Sequence, residues 1–278
     1  MLNTALIILA ISIFAGIFGA VLGLGGGMIV TPALTMLFGI DIKYAIGASL
    51  IAVIATSSGA AAAYTRDKIT NIRAGMFLEI ATTIGAVIGA FLAGIIAPNI
   101  LYGIFGILLF YTAIMMLKNR KGELPQNVEM SKLGEKLNLG GKYYDKALKK
   151  EVEYNVDNVY GGFGVMLGAG VLSGMLGVGS GSFKVMAMDL FMKIPLKVSS
   201  ATSNFMMGVT AAASAGVYLF RGNIDPKIAG PVALGVLIGS TVGARIMQRI
   251  KSTTIRKIFV PVILYVSIDM IMKGIGVK

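Results

Sequence analysis

Few residues in this chain are able to do chemistry. It has no histidine and no cysteine, which removes thiolate nucleophiles, haem ligation by histidine and most zinc or copper sites. No catalytic group, cofactor or metal is therefore expected. What stands out is a glycine-rich motif written twice: Gly16-Ile-Phe-Gly-Ala-Val-Leu-Gly-Leu-Gly-Gly-Gly27 recurs 154 positions on as Gly170-Val-Leu-Ser-Gly-Met-Leu-Gly-Val-Gly-Ser-Gly181. Glycine adopts positive φ and lets a ligand approach the backbone closely. A helix that opens after such a break offers free N–H groups and a positive dipole end to an anion. The stretches 23–27 and 177–181 are the expected breaks. Gly25, Gly26, Gly27 and Met28 in the first copy, and Gly179, Ser180, Gly181 and Ser182 in the second, are candidate substrate-binding residues, with Ser182 a candidate helix cap. The plain alternative is that these glycines only let helices pack closely.

Ionisable residues inside membrane segments are functional candidates by default, and few exist. Lys184 follows the second motif where the first has Val30, and Asp189 stands where the first has Thr35. Lys184, with the amides of Gly181, Ser182 and Phe183, suits an anion; otherwise it pairs internally or reaches to an interface. Glu79 is a candidate carrier of a coupling proton, or else caps a polar packing contact, and Asp189 is a second coupling candidate. Ser49, and Ser203 with Asn204, lie at equivalent helix starts. Their hydroxyls and amide suit sulfonyl, phosphoryl or carboxyl oxygens, though such groups also join helices.

These residues must be positioned by membrane helices. The chain has 278 residues, is 56% hydrophobic and only 14% charged, where soluble domains are about a quarter charged. Apolar runs cover 2–22, 45–64, 76–96, 100–117, 160–176, 198–220, 228–247 and 258–272; about 20 residues of helix cross ~30 Å of hydrocarbon. The alternation of an outer-membrane barrel is absent, and unpaired backbone is not tolerated in lipid, so an all-α polytopic bundle is expected. No Lys or Arg precedes Lys43, so the first run reads as a membrane helix rather than a signal peptide. The segments after the glycine motifs, 28–39 and 183–193, span only about 15 to 18 Å as helix and are expected to be short or re-entrant.

The 154-residue offset also lays Ser49 on Ser203, Tyr64 on Tyr218, Gly85 on Gly239 and Gly89 on Gly243. Two repeats, 1–117 and 159–278, joined by a linker at 118–158, are expected, each with about five membrane segments. The net charge of +12 sits in loops, which points to the positive-inside rule rather than to nucleic acid. The turn at 97–99 is uncharged, whereas its partner carries Arg249, Lys251, Arg256 and Lys257. The first turn therefore faces out and the second in. Arg66, Lys68, Arg73 and the linker fall inside, both termini fall outside, and the repeats are inverted. The linker, with nine basic and seven acidic residues between 118 and 157, is expected to be cytoplasmic with an amphipathic helix near 132–154. The expected location is the cell (inner or plasma) membrane, multi-pass, and a homo-oligomer is compatible with the pattern.

The duplicated motif, 16–32 and 170–186, followed each time by a short apolar segment and a small-residue helix, resembles the TauE/SafE sulfite exporter family over essentially the whole chain apart from the linker. The resemblance implies a transporter of sulfite, sulfoacetate or related sulfonates. The run from Gly23 through Pro32 to Leu34 matches the family pattern closely. The second copy departs from it at Ser180, Lys184 and Met186, where the second half would touch substrate. The expected function is secondary transport of a small sulfur-containing anion by alternating access, for which a proton-coupled, a sodium-coupled and an uncoupled cycle each fit. An anion channel and a non-transporting accessory protein are the alternatives; an enzyme is not expected.

Overall fold

The computed structural model describes residues 2–22, 25–118, 128–145, 149–247 and 252–276. Gly23, Arg249, Lys251 and the linker stretch 119–127 lie outside the described residues. Five helices come first: α1 (Leu2–Leu22), α2 (Gly27–Leu37), α3 (Ile42–Arg66), α4 (Ile72–Ile95) and α5 (Pro98–Lys118). A short helix, α6 (Lys132–Lys136), and two strands, β1 (Gly141–Asp145) and β2 (Lys150–Tyr154), come next. The second set is α7 (Val159–Leu176), α8 (Gly181–Met186) continued by a π-helical turn Ala187–Phe191, α9 (Leu196–Phe220), α10 (Pro226–Met247) and α11 (Ser252–Ile275). Among the described residues, α1, α3, α4, α7 and α10 contain stretches long and apolar enough to cross a membrane. The segment after each glycine motif is short, 11 residues in α2.

Many large apolar side chains point outward, and small ones line the helix contacts. On α4, Ile80, Ile84, Ile88, Phe91 and Ile95 are exposed, while Ala81, Gly85, Ala86, Gly89 and Ala93 are buried. Lipid rewards an apolar exterior, and helix association in it depends on close van der Waals approach, which small residues permit. Accordingly α1 packs on α10 and α4 on α7. A methyl group on Gly85 or Gly89 would strike the backbone oxygen of Leu167 or Val171; one on Gly239 or Gly243 would strike that of Ile13 or Ile17. Each partner in the second contact is 154 positions from its counterpart in the first. At these four glycines the missing side chain is what lets the helices approach.

Helices α3 and α9 form the centre, each also touching the outer pairs through α10 and α4. Gly47, early in α3, abuts the carbonyl of Asn223 just past the end of α9. At the other end the Asn71 amide, past the end of α3, donates to Thr202 Oγ1 early in α9 at 3.0 Å. The two helices therefore run antiparallel.

The connecting segment corrects an expectation. In place of an amphipathic helix across 132–154 stands one turn of helix and an antiparallel hairpin pairing Tyr143 with Val152. Gly140 and Gly141 disfavour helix, and the residues beyond them alternate: Tyr143, Val152 and Tyr154 are buried between exposed Lys142, Tyr144, Glu151 and Glu153. That is a period of two, which a strand satisfies. The buried side chains pack on Leu78 of α4, on Met188 and Met192 near the π-turn, and on Val198 of α9. Asn71 fixes the hairpin to the bundle, its side-chain amide donating to Leu139 O at 2.7 Å and to Tyr154 OH at 2.9 Å.

Candidate functional site

The two glycine motifs meet at the crossing of α3 and α9. Val53 and Met207, again 154 positions apart, are fully buried there. Gly25 and Gly179 lie against both of them, with φ of +77° and +70°, a region closed to most L side chains. Gly27 lies against the Gly177 carbonyl, and Ser49 Oγ donates to that same oxygen at 2.5 Å. Met28 is buried in the surrounding apolar cluster with Val53 and Met207. In the first motif the Gly26 amide donates to Thr56 Oγ1 at 3.1 Å.

The second motif is built differently. Ser180 replaces the equivalent of Gly26, yet it takes a left-handed conformation, φ +46°, which is strained for a residue with a Cβ. It, rather than Ser182, precedes the first residue of α8, and its side chain makes no capping hydrogen bond. Among the described residues the hydroxyls of Ser173, Ser180 and Ser182 have no hydrogen-bond partner although their oxygens are buried. Ser203 Oγ donates to Gly181 O at 3.2 Å. Asn204 donates from Nδ2 to Ser200 O at 2.9 Å and leaves Oδ1 unpartnered. Ser203 therefore braces the motif, while Asn204 keeps an acceptor free.

Lys184 has no exposed surface. Its Nζ donates to Thr210 Oγ1 at 2.5 Å, Thr210 Oγ1 donates to Glu79 Oε1 at 2.5 Å, and Lys184 Nζ stands 3.6 Å from Glu79 Oε2. Thr83 Oγ1 also donates to Glu79 Oε1, at 3.2 Å. Three elements thus converge on one charged cluster: α8 brings the ammonium, α9 the threonine and α4 the carboxylate. The internal pairing weighed for Lys184 is what this conformation contains. Asp189 sits in the π-turn, half-buried, with Lys193 as its neighbouring charge, and it is not joined to the cluster.

Thr210 was not legible as a site residue, though a signal existed. It lies 154 positions from Thr56, the residue that holds Gly26. The first half has Val30 and the second half Ala233 where the cluster has Lys184 and Glu79. The charged cluster is therefore a feature of one side of a duplicated framework.

The chain matches the model of the family described as sulfite exporter TauE/SafE over residues 8–270. It belongs to the TauE/SafE family. It is 26% identical over 276 residues to the probable membrane transporter protein YunE of Bacillus subtilis (strain 168), covering 97% of this chain and 98% of that one. It is 26% identical to the probable membrane transporter protein YdhB of the same organism, covering 86% and 89%. A third relative, the probable membrane transporter protein MJ0441 of Methanocaldococcus jannaschii, is 25% identical over 90% of this chain and 89% of its own. No solved structure matches. This TauE/SafE chain is accordingly a membrane-embedded protein of a transporter family, and its apolar exterior and buried cluster are those of a body immersed in lipid.

Proposed function

We propose that the chain is a secondary transporter of a small sulfur-containing anion of the sulfonate or sulfite type, working by alternating access between two inverted repeats. One observation carries the substrate site: within about one turn in sequence of Lys184, whose ammonium is buried, the hydroxyls of Ser180 and Ser182 are buried donors without a partner. Buried hydroxyls normally find partners. Neutral donors in the same segment as a buried cation suit an oxyanion whose charge is spread over three oxygens.

The antiparallel course of α3 and α9, and main helix pairs that correspond when the two sets are exchanged, α1–α10 with α7–α4 and α3–α10 with α9–α4, support the inverted-repeat reading. Rocking of one set against the other about the paired glycine motifs would expose the site to each side in turn. The hairpin lies at the same end as Arg66, Lys68 and Arg73, which supports a cytoplasmic linker in the inner membrane.

The test is the thermal stability of the detergent-purified protein against sulfite, sulfate, thiosulfate, sulfoacetate, taurine and simple carboxylates, with Lys184→Met alongside. A ligand that binds only the folded state raises apparent stability. Stabilisation by a sulfonate or sulfur oxyanion that vanishes in Lys184→Met is the expected result. No shift with any anion would count against the reading and favour an accessory role.

A further inference from the structure

Glu79 occupies the charge that an incoming anion would need, and we infer that the anion displaces it by bringing a proton, so that one proton crosses with each monovalent anion. This inference rests on the transporter reading. Among the described residues Glu79 is the counter-charge of Lys184, and the pair is loosely made. At 3.6 Å the ammonium and Oε2 are beyond hydrogen-bond distance, Oε2 has no hydrogen-bond partner, and Thr210 takes one of the three ammonium donors. With one ammonium donor on Thr210 and one at ion-pair distance from Oε2, Lys184 keeps a donor for another acceptor, and a proton arriving on Oε2 disturbs no formed hydrogen bond.

Charge balance then sets the stoichiometry. Lysine with ionised Glu79 is neutral. Adding a monovalent anion alone leaves one uncompensated negative charge in the interior, a costly state in a medium of low dielectric. Adding the anion and a proton restores neutrality: the proton bonds to Oε2 from the water on the side of entry and leaves to water on the other side.

The neighbouring elements offer no substitute. Helix α7 has no ionisable side chain after Tyr160. Helix α4 has only Arg73, in its first turn, besides Glu79. Helix α9 has Lys197 at its start and Tyr218 near its end, the latter donating to Met175 O at 3.2 Å. The π-turn has Asp189, which faces Lys193, and the Tyr111 hydroxyl of α5 lies against Met186 Sδ.

The experiment uses the full chain in liposomes with labelled isethionate, a sulfonate whose charge is constant across the pH range, and a pH dye inside the vesicles. In wild type an inward acid gradient should drive accumulation with one proton per anion, and anion affinity should fall with rising pH by up to about tenfold per pH unit, the limit for one linked proton. Glu79→Gln should bind isethionate more tightly at neutral pH than wild type, lose the pH dependence, exchange anion across the membrane and give neither accumulation nor a proton signal. Glu79→Gln/Lys184→Met, neutral in the interior, should fold and bind no isethionate. Isethionate flux without a proton signal in wild type, or a proton signal that survives in Glu79→Gln, overturns the coupling and leaves the transporter reading intact. No isethionate binding or flux in wild type overturns both. If Glu79→Gln fails to fold, the wild-type response to the gradient decides alone.

Discussion

Ser180 separates binding from folding. Its positive φ stores about 1 kcal/mol of backbone strain, and its hydroxyl contributes no hydrogen bond to the resting structure. Ser180→Gly relieves the strain and adds a comparable loss of chain entropy on folding, so its melting temperature should stay close to that of wild type. It should nevertheless bind the transported anion about 10- to 100-fold more weakly, since a hydrogen bond to a charged group is worth about 1.5 to 3 kcal/mol. A Ser180→Gly protein with unchanged affinity in the thermal-shift panel would remove the hydroxyl from the site. Lys184→Met acts on folding as well: it strands the buried Glu79 carboxylate and should destabilise by about 3 to 5 kcal/mol. Adding Glu79→Gln should recover most of that loss in a melt without ligand. Lys184 was legible in the sequence because a lone charge in an apolar segment is costly enough to need a reason. Glu79 was legible on the same ground, but its pairing with Lys184 was not, because the two lie far apart along the chain and only packing of α4, α8 and α9 brings them together.

At the scale of elements, the helix contacts rest on which face a glycine occupies. Gly168 and Gly170 share α7, but a methyl group at Gly168 meets nothing within 4 Å, whereas one at Gly170 strikes the Thr82 backbone oxygen. Gly168→Ala should stabilise by up to about 1 kcal/mol through helix propensity. Gly170→Ala should push α7 from α4 and lower the melting temperature of the purified protein; equal melts for the two would mean that the close approach contributes nothing. The duplicated glycines were readable in the sequence, and their division into packing positions, such as 85 and 239, and loop positions, such as 25 and 179, was not, because the two uses share one residue type. The hairpin was missed for a related reason. Its alternation runs over only five residues per strand and is interrupted by charges that a helix would accept equally well. Burial in the hairpin pushes the Tyr154 hydroxyl up to about 12, against the opposing hydrogen bond from Asn71. A group whose folded value is raised stabilises fully below its ordinary value near 10 and loses that contribution as pH rises through 12. The phenolate absorbance of wild type minus that of Tyr154→Phe should therefore titrate near 12, together with loss of hairpin docking; titration near the ordinary value would show that Tyr154 is not buried in solution.

For the whole molecule, a duplicated framework has been made chemically unequal. Both halves supply a glycine loop, a short helix and a central helix, and this much was readable from the 154-residue offset. Only the second half adds a buried ammonium, with its carboxylate lent by α4 of the first, so motion of one set of helices against the other necessarily changes the surroundings of that pair. Substrate chemistry is consequently expected to depend on Lys184 rather than on the glycines that both halves share. The most direct test is uptake by proteoliposomes of labelled sulfonate with unlabelled sulfonate inside. The account predicts saturable uptake, acceleration by internal substrate, and loss of both in Lys184→Met. Non-saturating flux that internal substrate does not accelerate, or full activity in Lys184→Met, would contradict it.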